Sequence, residues 1–291
     1  MEQISSLYII LAGILWGIIS LFVTQLQSAG LSSMQIVSVR VFFSAVIMVL
    51  FLLIRDLKRL KIKLRDLPLF FGTGVLSIVF FNFCYFKAIE LTGGAAVPAL
   101  LLYTSPVFVM ILSMILFGEK LSVRKIVSLA VTLTGLAFVT GVFYGKETVS
   151  LDVIIFGLGS GFGYALYSIF GKYLLPKYKP VTITAWTFIM ASVFSVPFSG
   201  VVCKIPQLIS SGSLPCGAAL AAVSTVLPFL FYTKGLEKTD AGKAAVLATI
   251  EPLVAAAAGV FFLGEKLTVM KIAGMLLIFS AIIILNTKST E

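Results

Sequence analysis

Two residues of this chain carry ionisable groups into long apolar surroundings, and both ask for a compensating partner. Glu251 stands about halfway along "AAVLATIEPLVAAAAGVFF", where a charged carboxylate costs at least about 2.5–3.5 kcal/mol if the segment crosses a bilayer. Three arrangements offset that cost: the group is protonated, it faces a wet cavity, or a cation lies against it. A fourth reading is structural, because Pro252 follows directly and interrupts the local hydrogen bonding, freeing backbone groups that the carboxyl could satisfy. Arg40 lies about six residues into another apolar run, and a guanidinium does not discharge by losing its proton. It must pair or reach for an interface. Glu90 is the expected structural partner, and an anionic group on a substrate is the alternative.

Amphipathic rings add to this set. Trp and Tyr normally occupy the membrane–water interface, yet Trp16, Tyr103, Tyr164 and Tyr167 fall inside apolar runs. Their N–H and O–H groups need partners, which a wet cavity or a substrate would supply. Asn82 and Tyr85, three residues apart, share one helix face, and Tyr232 matches Tyr85 in the internal repeat described below. Hydrogen bonding between helices is the alternative for each of them. The candidate cavity residues are therefore Trp16, Arg40, Asn82, Tyr85, Tyr103, Tyr164, Tyr167, Tyr232 and Glu251, with Glu251 the candidate proton-coupling group.

Other chemistry lacks its residues. There is no His, and Cys84, Cys203 and Cys216 have no metal-ligand spacing, so neither a metal centre nor Ser–His hydrolysis is expected, and no cofactor. A Cys203–Cys216 disulfide is left open by the sequence. "GLGSGFG" at Gly157 to Gly163 scans loosely like a phosphate-binding loop, but such a loop follows a strand and opens a helix in water. Glycines four apart inside an apolar run instead let two helix backbones approach closely.

The elements that hold these residues follow from composition. With 59% hydrophobic and 12% charged residues and a mean hydropathy of +1.11, most of the chain is solvated by lipid. Runs near 6–26, 34–54, 68–89, 95–117, 126–143, 152–174, 181–202, 216–236, 241–263 and 269–286 are each long enough to span, since a helix needs about 20 apolar residues. The result is an all-α membrane protein of ten transmembrane helices joined by short loops. Placing the N-terminus in the cytoplasm puts sixteen of the 22 lysines and arginines on the cytoplasmic side and five outside, with Arg40 inside a span, as the positive-inside rule asks. Both termini are then cytoplasmic. The net charge of +10 reflects this bias and an anionic cytoplasmic leaflet, not nucleic acid.

The chain also repeats itself. "GEKL" occurs at Gly118 to Leu121 and again 146 residues later at Gly264 to Leu267; at the same offset "GILWG" (Gly13 to Gly17) faces "GSGFG" (Gly159 to Gly163), Arg40 faces Trp186, and Ser105-Pro106 faces Glu251-Pro252. With one residue of slippage "YFKAIELT" (Tyr85 to Thr92) faces "YTKGLEKT" (Tyr232 to Thr239). Five spans separate the copies, and an odd number of crossings turns the second unit upside down, so residues 1–146 and 147–291 read as inverted five-helix repeats. Inverted halves imply alternating access around a central site.

Over nearly its whole length the chain resembles the EamA-type permeases, ten-helix members of the drug/metabolite transporter superfamily. The likeness rests on two five-helix units, each with Tyr-x-Lys-[Ala/Gly]-[Ile/Leu]-Glu-x-Thr, a Pro in its fourth helix and a closing Gly-Glu. It implies a multi-pass inner-membrane secondary transporter, an exporter of amino acids or other small metabolites working through a central cavity. An uncoupled facilitator of small amphipathic solutes is the alternative within transport, and a membrane-embedded enzyme is disfavoured by the missing His and metal sets.

Overall fold

The computed structural model describes residues 2–143 and 149–286, and all of their regular structure is helical. Ten helices are long and apolar enough to span a membrane: α1 (Gln3–Ser28), α2 (Ser33–Arg55), α3 (Leu64–Thr92), α4 (Ala96–Phe117), α5 (Val123–Thr140), α6 (Leu151–Leu174), α7 (Pro180–Ser199), α8 (Leu214–Leu236), α9 (Ala241–Phe262) and α10 (Val269–Asn286). A shorter helix, Val201–Ser210, follows α7.

Loops from different parts of the chain meet at two ends of the bundle. At one end Gln207 donates to the Ala29 carbonyl (2.7 Å); this end carries the turn between α1 and α2. At the opposite end the α2–α3 loop is tied to the α6–α7 loop. Asp66 accepts from Lys177 Nζ at 2.6 Å and from Tyr178 at 2.8 Å, while the Tyr178 hydroxyl accepts from the Lys63 N–H at 3.0 Å. Trp186 donates to the Leu60 carbonyl nearby (2.9 Å). Asp66 is 3% exposed, so this is a buried carboxylate whose oxygens are both occupied, as burial requires.

Packing follows a regular scheme. The helices α2 and α7 lie against each other, as do α5 and α10; α1 packs on α8 and α9, while α6 packs on α3 and α4. Close approach is set by glycine. A Cβ on Gly17 of α1 would lie 2.6 Å from Val254 Cβ and 2.8 Å from the Glu251 carbonyl oxygen of α9. A Cβ on Gly161 of α6 would lie 2.9 Å from the Leu101 carbonyl oxygen of α4. Only a residue without a side chain allows these backbone contacts.

Both copies of Gly-Glu-Lys-Leu end a helix in the same way. Gly118 (φ +66°) and Gly264 (φ +72°) are left-handed, which costs glycine little. The next N–H, of Glu119 or Glu265, then bonds the carbonyl six residues back, Ser113 at 3.3 Å or Gly259 at 3.0 Å, satisfying a carbonyl at the helix end.

Candidate functional site

The site is built where two helices are broken. In α4 the helix stops at Leu102 and restarts at Ser105; in α9 it stops at Ala248 and restarts at Ile250. Pro106 and Pro252 cause both breaks, since proline donates no N–H and its ring clashes with the carbonyl four residues back, here Leu102 and Ala248. In each break a threonine side chain folds back on its own helix: Thr104 Oγ1 donates to the Leu101 carbonyl at 2.6 Å and Thr249 Oγ1 to Val246 at 2.5 Å. The carboxyl of Glu251 is directed elsewhere. It lies in the first turn of the second half of α9, and its Oε2 accepts from the Tyr164 hydroxyl of α6 at 3.1 Å.

Glu251 faces a cavity of about 290 Å³. Seven of the nine candidate residues line it: Trp16, Arg40, Asn82, Tyr85, Tyr103, Tyr164 and Glu251. The cavity extends along α1 through Ser20 and Val23 to Ser33 at the start of α2, toward the Ala29–Ser33 turn. Tyr103, in the break of α4, is the second phenol beside the Glu251 carboxyl. Asn82 is anchored by its amide to the Ile78 carbonyl (2.8 Å), inside a π-helical stretch of α3, Gly72–Phe80. A corresponding π-helical stretch, Ala222–Val226, lies in α8; such turns leave main-chain groups for side chains to satisfy.

Arg40 differs from expectation. It does not pair with Glu90, which instead bonds Lys87 Nζ at 3.1 Å on the exposed surface. Arg40 points into the cavity, where the charge of Glu251 and the phenol of Tyr164 reach it electrostatically. Its Nε is buried with no hydrogen-bond partner among the described residues, and so is the Ser20 hydroxyl on the same wall. Burying such donors without partners costs about 1–3 kcal/mol each or more, and a polar solute in the cavity would recover it.

Tyr167 and Tyr232 are not part of this lining. Tyr167 shares a 2.6 Å hydrogen bond with Thr233, and Tyr232 shares one of 2.6 Å with Ser168, which ties α6 to α8. Their rings join Trp16, Tyr164 and Phe229 in an edge-packed aromatic layer with centroid separations of 4.9–6.3 Å. That layer is the floor of the cavity. Beyond it lies an apolar core in which Ile9, Val109, Met110, Leu236, Val246 and Leu247 are all buried. Sequence reasoning missed Ser20 and Phe81 as lining residues; no periodic signal sets a serine or a phenylalanine on a cavity wall apart from one in ordinary packing. The three cysteines are all free, so Cys203 and Cys216 are not bonded to each other.

Comparison with known proteins agrees with this architecture. The model of the EamA-like transporter family matches the chain twice, over residues 3–141 and 152–287. An uncharacterized transporter of Archaeoglobus fulgidus is 31% identical over 276 residues, covering 95% of this chain and 94% of the relative. The threonine/homoserine exporter RhtA of Salmonella typhimurium is 31% identical over 221 residues, covering 75% and 70%. A crystal structure superposes with a TM-score of 0.80 at 16% identity, over 97% of this chain and 96% of the other, a likeness of fold.

Proposed function

Because this chain belongs to the EamA-like transporter family and is a multi-pass integral protein of the inner membrane, we propose that it is a secondary exporter of small metabolites, amino acids above all, working by alternating access through the central cavity. The observation that carries the reading is chemical. A fixed cation with an unpartnered N–H, Arg40, and a carboxyl, Glu251, share one wall-to-wall space of about 290 Å³. Ligand pockets run upward from about 300 Å³, so this one fits a compact solute. An α-amino acid matches both groups, its carboxylate on Arg40 in a fork geometry and its ammonium beside Glu251 and the surrounding rings. The relationship to a threonine/homoserine exporter supports the same class.

Several features support inverted five-helix repeats as the moving parts. The family model matches each half separately, the helix breaks and their prolines recur 146 residues apart, and the packing of α1 on α8 and α9 mirrors that of α6 on α3 and α4. On this reading the units are residues 1–146 and 147–291, with both termini cytoplasmic and the basic loops against the anionic leaflet. Energy would come from an ion gradient with Glu251 as carrier; the second reading, an uncoupled facilitator, assigns Glu251 to binding alone.

Flux into proteoliposomes from a panel of amino acids, their decarboxylated amines, nucleosides and sugars tests the reading. Amino acids should be transported and the amines without a carboxylate should not. Arg40→Gln should raise the KM for the amino acid at least ten-fold. Equal transport of amines and amino acids by the parent would overturn the assignment of Arg40 and the substrate class with it.

A further inference from the structure

At the end opposite the cavity, the charged residues that follow α4 grip the start of α9. The Glu119 carboxylate accepts from the Ala241 N–H at 2.7 Å and from the Gly242 N–H at 3.2 Å, two donors of a helix start that has no intrahelical partner for them and that favours negative charge. Lys125, 7% exposed, donates to Asp240 at 2.9 Å and to the Lys120 carbonyl at 3.1 Å. Lys172 of α6 is the fourth charge here, acting on both Glu119 and Asp240. The seam is tight, because a Cβ on Gly242 would lie 3.1 Å from Met110 Cγ.

The same two residue types recur 146 residues on, as Glu265 and Lys271, at the end toward which the cavity extends. There the arrangement is different. Lys271 Nζ bonds Glu265 Oε2 at 2.6 Å, the Glu265 side chain is 49% exposed, and the pair stays within its own half of the chain. One repeated device thus stands in two arrangements, bridging the halves beside the buried apolar core and folded back on itself at the end toward which the cavity extends.

We infer that Glu119 and Lys125 form a latch between the two halves that holds the far end of the transport path shut, and that on release they turn to each other as Glu265 and Lys271 do here. The exchange leaves no buried charge alone: Lys125 trades Asp240 for Glu119, and Asp240, whose side chain is 58% exposed, returns to water. Stranding a buried charge would make release prohibitive. This inference rests on the transport reading above, since a protein that does not alternate needs no latch.

The test measures exposure of the seam and needs no substrate. Met110, 4% exposed beside Gly242, is replaced by Cys in a chain with Cys84, Cys203 and Cys216 removed, and the rate of maleimide labelling is recorded. Glu119→Ala and Lys125→Glu should each raise that rate at least ten-fold. Adding Asp240→Lys to Lys125→Glu should restore it to within two-fold of the parent, and Glu265→Ala should leave it within two-fold. Should Glu119→Ala fail to express, Lys125→Glu and its Asp240→Lys rescue decide alone. Unchanged labelling in the well-expressed single variants overturns the latch, as does an equal rise on Glu265→Ala. Normal latch responses without solute flux would instead overturn the transport reading and leave the seam standing.

Discussion

At the residue scale the central question is what Glu251 does with its proton. The carboxyl accepts from Tyr164 on another helix rather than bonding the backbone at the break beside Pro252, so the purely structural reading loses its main support. Under the proton-coupled proposal, Glu251→Gln keeps the shape and the Tyr164 contact but loses titration. It should reduce pH-gradient-driven accumulation at least ten-fold while exchange down the solute's own gradient continues; flux of the expressed variant with and without an imposed gradient measures both. Concentrative transport at the parent level by Glu251→Gln would end the proton-carrier role and favour the facilitator. The sequence singled out Glu251 because a mid-span carboxylate is costly, and cost is readable from composition. It did not separate Tyr164 from Tyr167. Both lie inside α6 at helix positions three apart, and only the placement of α8 decides that one faces the cavity and the other Thr233.

At the scale of elements, glycine and proline divide the labour. Proline opens α4 and α9 at the depth of the site, and glycines on α1 and α6 bring whole backbones against those openings. Gly17→Ala should therefore destabilise the protein by about 1–3 kcal/mol, the range for overpacking, seen as a lower unfolding temperature in detergent. Gly93→Ala, at a left-handed turn with open space around it, should cost less, about 1 kcal/mol of backbone strain. A larger effect at Gly93 than at Gly17 would refute the close-packing account of the α1–α9 contact. The spans themselves were legible to within a few residues, because an apolar run of sufficient length has few other uses. The breaks were not. Ser-Pro and Glu-Pro announce a kink, but whether a helix bends or is interrupted depends on the neighbours that accept its free carbonyls. Arg40 lines the cavity as its candidate role expects, but its expected structural partner Glu90 bonds Lys87 instead, because depth along a span does not say which neighbours a buried cation meets.

At the scale of the whole molecule, orientation remains a matter of charge and is tested by access. In a background with Cys203, which is exposed near the α1–α2 end, replaced by Ser, Ser32→Cys should react with an impermeant thiol reagent added outside, and Lys61→Cys should not. Thr148, the other outer position expected from the sequence, lies outside the described residues. The reverse pattern would invert the molecule in the membrane without changing the number of spans. Whichever way it sits, its two faces are electrically unequal. Arg40 presents a fixed cation on the cavity wall, whereas Trp186, which faces it at the 146-residue offset, spends its N–H on the Leu60 carbonyl. A carrier without coupling cannot turn that inequality into net accumulation, because detailed balance forces kcat/KM to be equal in the two directions when no gradient is applied. It can make the Michaelis constants differ from side to side, with the maximal rates differing in compensation. The protein would then be saturated at low solute concentration on the arginine side and respond almost linearly to concentration on the other.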